Sequence, residues 1–264
     1  MKPLNKFRKD FNCRCVSTTK RLLTELGSEG RLFCHEKGTV ALIEDKFPVL
    51  TSSEAQAYYD KFGKKQDSQG FYEDPALDDL ITHAGFRNAR KVFEFGCGTG
   101  KFAVRLLEEQ LPSSATYLGC DVSPIMVGLA TQRLSEYSER ARVVRSGGTV
   151  LFPLPDNSVD HVVSSYVLDL LSANDTRLVF AEARRVLIPG GKLCLVSLTK
   201  GVTHLSRMVS FLWMTIFRVR ASWVGGCRPI SLEPYADSNG WQTEYRNVVT
   251  PFGVPSEVLV LSRK

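Results

Sequence analysis

Val92-Phe93-Glu94-Phe95-Gly96-Cys97-Gly98-Thr99-Gly100 decides the fold. An apolar run rich in β-branched and aromatic residues carries an acid near its end and turns through three glycines. It then enters a helical pattern near Lys101–Gln110 that Pro112 closes. Glycines let backbone approach a ligand and adopt angles closed to other residues. The helix that follows offers free N–H groups and a partial positive charge. A second acid, Asp121, ends the next apolar run, Thr116–Asp121, where a carboxylate can accept from both hydroxyls of a ribose. In an open α/β sheet, ligands bind beyond the carboxyl ends of the strands, and both acids fall there.

From this unit outward, short β-rich runs alternate with helical patterns, which predicts a parallel sheet covered on both faces. Strands are expected at Lys91–Phe95, Thr116–Asp121, Ala141–Arg145, Val159–Ser165 and Lys192–Leu198. Ser123-Pro124 caps a helix running to about Tyr137. Another, from about Asp175 to Leu187, stops at Pro189-Gly190-Gly191. A short helix near Leu232–Ser238 precedes strands at about Trp241–Thr250 and Glu257–Ser262, whose short connection implies an antiparallel hairpin. The expected fold is therefore α/β: a Rossmann-like, doubly wound, mostly parallel seven-stranded sheet with an antiparallel last strand, a helical N-terminal extension and a lid insertion.

Residues 1–24 are a basic leader with Asp10 as their one acid. Basic, hydroxyl-bearing and acid-poor, they have a transit-peptide profile, although a solvated, partly disordered leader is preferred. Residues 25–90 form an extension, with a hairpin expected at Arg31–Cys34 and Thr39–Ile43, and residues 91–264 form the main domain. Residues 201–230 are an insertion whose apolar residues are not confined to one helix face, so a buried lid is expected over a surface-lying helix. Its arginines leave a second use open, peripheral membrane contact through 205–220.

The 264 residues are 43% hydrophobic and 23% charged, an ordinary globular composition. The net charge of +6 is a mild surplus without the dense basic clustering of a nucleic-acid module, so nucleic acid is not an expected partner. Seven scattered cysteines imply reduced thiols and an intracellular chain, cytoplasmic or alternatively mitochondrial. Cys13, Cys15, Cys34 and His35 match no common zinc spacing, so no metal is expected. Oligomeric state is not legible.

The dinucleotide fingerprint is G-x-G-x-x-G, whereas here the third glycine comes one residue early. Glu94 before the loop would repel a pyrophosphate but suits the ammonium of a methionine moiety, favouring S-adenosylmethionine (SAM) over a dinucleotide. Four stretches then resemble the class I SAM-dependent methyltransferases, in the small-molecule branch typified by ubiquinone and menaquinone biosynthesis. They are Val92–Gly100, Leu118–Met126, Leu154–Asp160 and Arg185–Leu193. The resemblance implies that Glu94, Gly96, Cys97, Gly98 and Gly100 hold the methionine part of SAM, that Asp121 binds the ribose, and that Val122 and Met126 line the adenine pocket. The family often carries an acid after its third strand. Here Ser146-Gly147-Gly148-Thr149 stands instead, leaving adenine to backbone near Gly148 and Thr149.

The aromatic and amide-rich stretch Tyr58–Glu73 suggests a fold-over segment, with Tyr58 and Tyr72 over the methionine end or else packed on the sheet edge. Methyl transfer chiefly needs alignment and exclusion of water. Candidate catalytic residues are Tyr166 to position an acceptor, Asp169 as base and His204 as acid/base. Each has a structural reading beside it: for the first two, Val167, Leu168, Leu170 and Leu171 bury one helix face while Asp169 is a solvated cap, and for the third, a surface histidine. His83 and His161 read as structural or exposed. The expected activity is methyl transfer to a small, lipophilic or aromatic acceptor, with a tRNA or protein methyltransferase and a non-catalytic SAM-binding scaffold as alternatives.

Overall fold

The computed structural model describes residues 34–35, 38–39, 49–237 and 240–264, and the chain divides into two units, Met1–Leu42 and Ile43–Lys264. In the first, β1 (Cys34–His35) and β2 (Gly38–Thr39) pair antiparallel, with Cys34 opposite Thr39. The outer parts of the expected hairpin, the basic leader, Cys13 and Cys15 lie outside the described residues.

The second unit holds one sheet of β3 (Lys91–Phe95), β4 (Thr116–Asp121), β5 (Ala141–Arg145), β6 (Val159–Ser165), β7 (Leu187–Leu198), β8 (Trp241–Val249) and β9 (Ser256–Arg263). The spatial order is β5-β4-β3-β6-β7-β9-β8. The first five pair in parallel, and β9 runs antiparallel to both β7 and β8. The winding direction reverses between β3 and β6, which is where such sheets open a crevice for a ligand.

Strand periodicity sorts the core into two layers. Val163 and Val260 face one side with α2 (Gly70–Ala84), which buries Ala76, Leu77, Leu80 and Ala84. Val162 and Leu261 face the other with α5 (Ala173–Val186), which buries Val179, Phe180, Ala183 and Val186. Each fully buried leucine or phenylalanine contributes about 1.5–3 kcal/mol relative to exposure.

The departures from expectation are local. The helix after the glycine loop is α3 (Lys101–Arg105), which then widens to a five-residue turn closed by Leu111 N–H donating to Leu106 O at 2.7 Å. α4 is Pro124–Arg133, followed by a 3-10 turn at Ser135–Tyr137. α5 starts two residues early because Ser172 caps it, accepting from Asp175 N–H at 3.0 Å. β7 starts at Leu187 and carries Pro189-Gly190-Gly191 within it, its register on β6 slipping between Val159 and His161. α7 covers Glu233–Asp237, and position 238 lies outside the described residues.

The insertion corrects the buried-lid expectation. Its helix α6 (His204–Val219) is capped by Thr203 and buries only Ser206 and Phe217, while Val209 and Trp213, partly buried, pack against the core layer that holds α2. Leu205, Met208, Phe211, Leu212 and Val219 are exposed. The helix seats one face on the domain, and its apolar residues extend round to the other. Among the described residues no helix is long and apolar enough to cross a membrane.

Candidate functional site

The glycine loop leaves β3 at the switch point. Gly96, Gly98 and Gly100 all have φ between +51° and +79°. At Gly96 any side chain is also blocked, since a Cβ would lie 2.3 Å from Val167 Cγ2. Gly96 and Cys97 N–H both donate to Cys120 O, at 2.8 and 3.0 Å, tying the loop to the end of β4. There Asp121 accepts from Gly98 N–H at 3.0 Å through one oxygen and from Ser123 N–H at 2.9 Å through the other. Burial raises the Asp121 carboxyl above its ordinary value, and those N–H groups oppose the rise. One bond per oxygen leaves lone pairs for the two hydroxyls of a ribose.

Glu94 is buried, and its Oε2 accepts from Tyr117 Oη at 2.5 Å. Burial pushes its carboxyl up to about 7. It lines a small polar pocket of about 50 Å³ together with Glu73, Asp74, Lys101 and the glycine loop. Burial also brings Glu73 to about 7. Two such carboxyls suit an ammonium group.

That pocket adjoins a cavity of about 330 Å³ and shares Gln66, Gly96, Gly98, Ser165 and Tyr166 with it. At one end the cavity is lined by Asp121, Val122, Met126, Gly148 and Thr149, and elsewhere by Leu50, Tyr59, Val167, Leu170 and Leu171.

The N-terminal extension closes one wall. α1 (Ser52–Phe62) has a Thr51–Glu54 capping box, and Ser52 Oγ donates to Gly148 O at 2.8 Å. Asp60 accepts from Ser123 Oγ at 2.5 Å. Asp67, Thr99 and Arg133 are joined by bonds of 2.6–2.9 Å, which clamp the segment after α1 onto the glycine loop. Between these anchors Gln66 faces Gly98, and its buried Oε1 has no hydrogen-bond partner. A buried acceptor without a donor is costly, so this one is a mark of a site shaped for a polar ligand. Acceptors at Asp121, carboxyls at Glu94 and Glu73, the glycine cradle and this orphaned amide together fit SAM.

The sequence candidates divide under the geometry. Glu94, Gly96, Cys97, Gly98, Asp121, Val122, Met126, Gly148 and Thr149 all line the cavity or the pocket beside it. Gly100 does not. It serves close packing, since a Cβ there would meet Ala130 Cα at 3.1 Å. Tyr58 is also displaced, stacking on Phe62 at 5.5 Å, whereas its neighbour Tyr59 lines the cavity. Consecutive helical residues point about 100° apart, so a one-residue error changes the face. Tyr72 is buried in the core with its ring edge-on to Tyr166 at 5.7 Å.

Tyr166 lines both spaces at φ +54°, but its hydroxyl donates to Ser256 Oγ at 2.9 Å, so it supplies a wall. Asp169 is fully buried on the turn after β6, outside the cavity lining. Neither oxygen makes a hydrogen bond of ordinary geometry, and burial pushes the carboxyl up to about 7. His204 is exposed at the first turn of α6 and is not among the lining residues. His161 is buried between Asp160 and Ala84 O, a structural position. Gln66, Tyr59, Glu73 and Ser52 were not singled out from sequence. Only the density of aromatics and amides in Tyr58–Glu73 hinted at the first three, and no signal pointed to Ser52. Among the described residues no cluster could hold a metal ion.

Residues 93–195 match the family model described as a methyltransferase domain. Demethylmenaquinone methyltransferase of Geobacillus sp. (strain WCH70) is 29% identical over 116 residues, 44% of this chain and 48% of that protein. The Homo sapiens tRNA N(3)-cytidine methyltransferase METTL6 is 29% identical over 182 residues, 64% of this chain and 63% of its own length. The chain spans roughly half to two-thirds of the curated relatives it matches. Among solved structures, the [4+2]-cyclase SpnF superposes with a TM-score of 0.61 at 15% identity, covering 83% of this chain and 99% of that one. Geranyl diphosphate methyltransferase, solved with GPP and sinefungin, gives 0.58 at 15%, covering 73% and 78%. At such identity these likenesses establish the fold.

Proposed function

From the class I SAM-dependent methyltransferase domain that this chain carries, we propose that it moves the methyl group of SAM to a small, lipophilic or aromatic acceptor. The observation that carries this reading is the lining of the cavity. Beyond the cofactor end it presents Leu50, Tyr59, Val167, Leu170 and Leu171, with Ser172 and Asp175 also in the lining, and among the described residues no lysine, arginine or histidine lines it. An RNA substrate would bring phosphates that need cationic partners, whereas an apolar or ring-bearing acceptor gains from desolvation alone.

SAM supplies an electrophilic methyl group on a sulfonium sulfur. The chain's own residues do the rest. Asp121 would hold the ribose, Glu94 and Glu73 the ammonium, and Gln66 would meet a polar group facing the glycine loop. Val122, Met126, Gly148 and Thr149 would enclose the adenine. The segment 49–90 acts as a cap, clamped by Asp67 and Arg133, which keeps water from the reacting atoms. No histidine is among the described lining residues and the lining carboxylate of Asp175 is engaged by Ser172 Oγ at 2.8 Å, so alignment and desolvation dominate over proton transfer.

A tRNA acceptor is the second reading, and the relative that acts on tRNA cytidine favours it. The test is transfer from methyl-tritiated SAM into a cell extract, followed by separation into lipid, small-polar, RNA and protein fractions. Label in the organic phase is expected. Label destroyed by ribonuclease would replace the proposal with the second reading. SAM binding without any label would mark a non-catalytic scaffold.

A further inference from the structure

The outer face of the insertion plays no part in the cavity, yet it has a definite chemistry. Leu205, Met208, Leu212 and Val219 recur at spacings of three, four and seven, which places them on one stripe of α6, with Phe211 beside them. All five are exposed, Phe211 at 71%. Arg207 and Arg218, eleven residues apart and so on one line of the helix, border Phe211, and both are exposed. No acidic residue occurs between Glu182 and Glu233.

Two further aromatic side chains extend the stripe. Phe252, in the turn between β8 and β9, is 78% exposed at φ +50°. A phenylalanine held in the left-handed region is strained, and here its ring meets only the edge of Phe71, itself exposed, at 5.8 Å among the ring contacts. Its turn lies on α6, because a Cβ on Gly253 would meet Leu205 Cγ at 2.9 Å. Beyond the C-terminal end of α6, Trp223 is exposed with the Arg220 guanidinium 5.9 Å above its ring.

We propose that this face docks on an anionic lipid bilayer, with the apolar stripe and Phe252 entering the headgroup boundary and Arg207, Arg218 and Arg220 against the phosphates. An apolar and aromatic stripe bordered by arginines, in a segment free of acids, is the chemistry of a helix lying in a membrane interface. The inner side of the same insertion reaches the cavity wall, since a Cβ on Gly226 would meet Leu50 Cδ1 at 2.5 Å and Leu170 Cδ2 at 3.5 Å. Docking therefore sets the acceptor end of the cavity near the bilayer surface. It does not depend on which acceptor is methylated.

The test is flotation of the full chain with vesicles of phosphatidylcholine alone and of phosphatidylcholine with phosphatidylserine at about 2:1. Binding to the anionic vesicles, weakened by salt, is expected. Phe211→Ser combined with Phe252→Ser should weaken it about tenfold while leaving melting temperature and SAM affinity nearly unchanged, since both rings are largely exposed and lie outside the cavity lining. Three results would each overturn the proposal. One is no flotation with anionic vesicles. Another is flotation unchanged in the double variant, which would place the attraction elsewhere, in the basic residues 1–24 for example. The third is a dimer that the double variant converts to monomer in size-exclusion chromatography, which would make the face a protein interface.

Discussion

The two ends of the cavity are built on different principles. The cofactor end is backbone held in fixed shapes: glycines at positive φ, N–H groups tied to Cys120 O, and Asp121 braced by two amides. The acceptor end is side chains from separate segments, Leu50 before α1, Tyr59 within it, and Val167 and Leu170 after β6. At the first end each position has a residue type that the chemistry demands. At the second, many apolar residues would serve. The first end therefore constrains its ligand residue by residue, and the second does not.

Four changes would break or sharpen that contrast, beginning with the largest effect. Gly96→Ala puts a Cβ 2.3 Å from Val167 Cγ2 at φ +79°, and should cost about 2–4 kcal/mol of stability along with most SAM binding. Adding Val167→Ala should recover part of the melting temperature, and no recovery would show that the clash is not the cause. Asp121→Ala removes the expected ribose acceptor, and calorimetry should show SAM weakened by about 1.5–3 kcal/mol. Unchanged affinity would refute the pose.

The third concerns Asp169, whose carboxyl titrates near 7 in the fold against an ordinary value of 3.8. The fold favours its neutral form, so this group strengthens the fold below about pH 4 and loses that contribution as pH rises through 7. Asp169→Asn removes the loss. Relative to the parent, the variant should gain about 1–2 kcal/mol between pH 5 and pH 8 in denaturant unfolding. A pH-independent difference would place a partner on the carboxylate. The smallest effect lies at Glu94, which burial holds near 7. The ammonium of SAM favours its charged form, so binding should tighten about tenfold from pH 6 to pH 8. A flat profile would remove Glu94 from the ammonium site.

The same contrast explains what the sequence disclosed. β3, the glycine loop and β4 were legible because period-two apolar runs, glycines and terminal acids are each forced by local physics. The hairpin of β8 and β9 followed from its short connection. Tyr58 was chosen where Tyr59 lines the cavity, because an aromatic pair on a helix shows which segment matters but not which residue turns inward. Asp169 and Tyr166 lie on the right segment after β6, yet the turn there buries one carboxyl and engages the other residue's hydroxyl with Ser256. The β7 register slip and the cap-shifted start of α5 are tertiary matters that the pattern does not encode. α6 was expected to be buried because its composition is apolar on several faces. Composition states what a helix can bury, and only packing decides what it does bury.

Leu170→Asn offers the most direct test of the division between the two ends, because Leu170 lines the acceptor end and its backbone N–H bonds to Val167 O and not to the glycine loop. SAM affinity and label transfer into the organic fraction should be measured together on this variant. Affinity that stays constant while organic label falls by about tenfold or more is expected. Lost SAM binding, or undiminished label with the polar side chain in place, would contradict an apolar acceptor bound there.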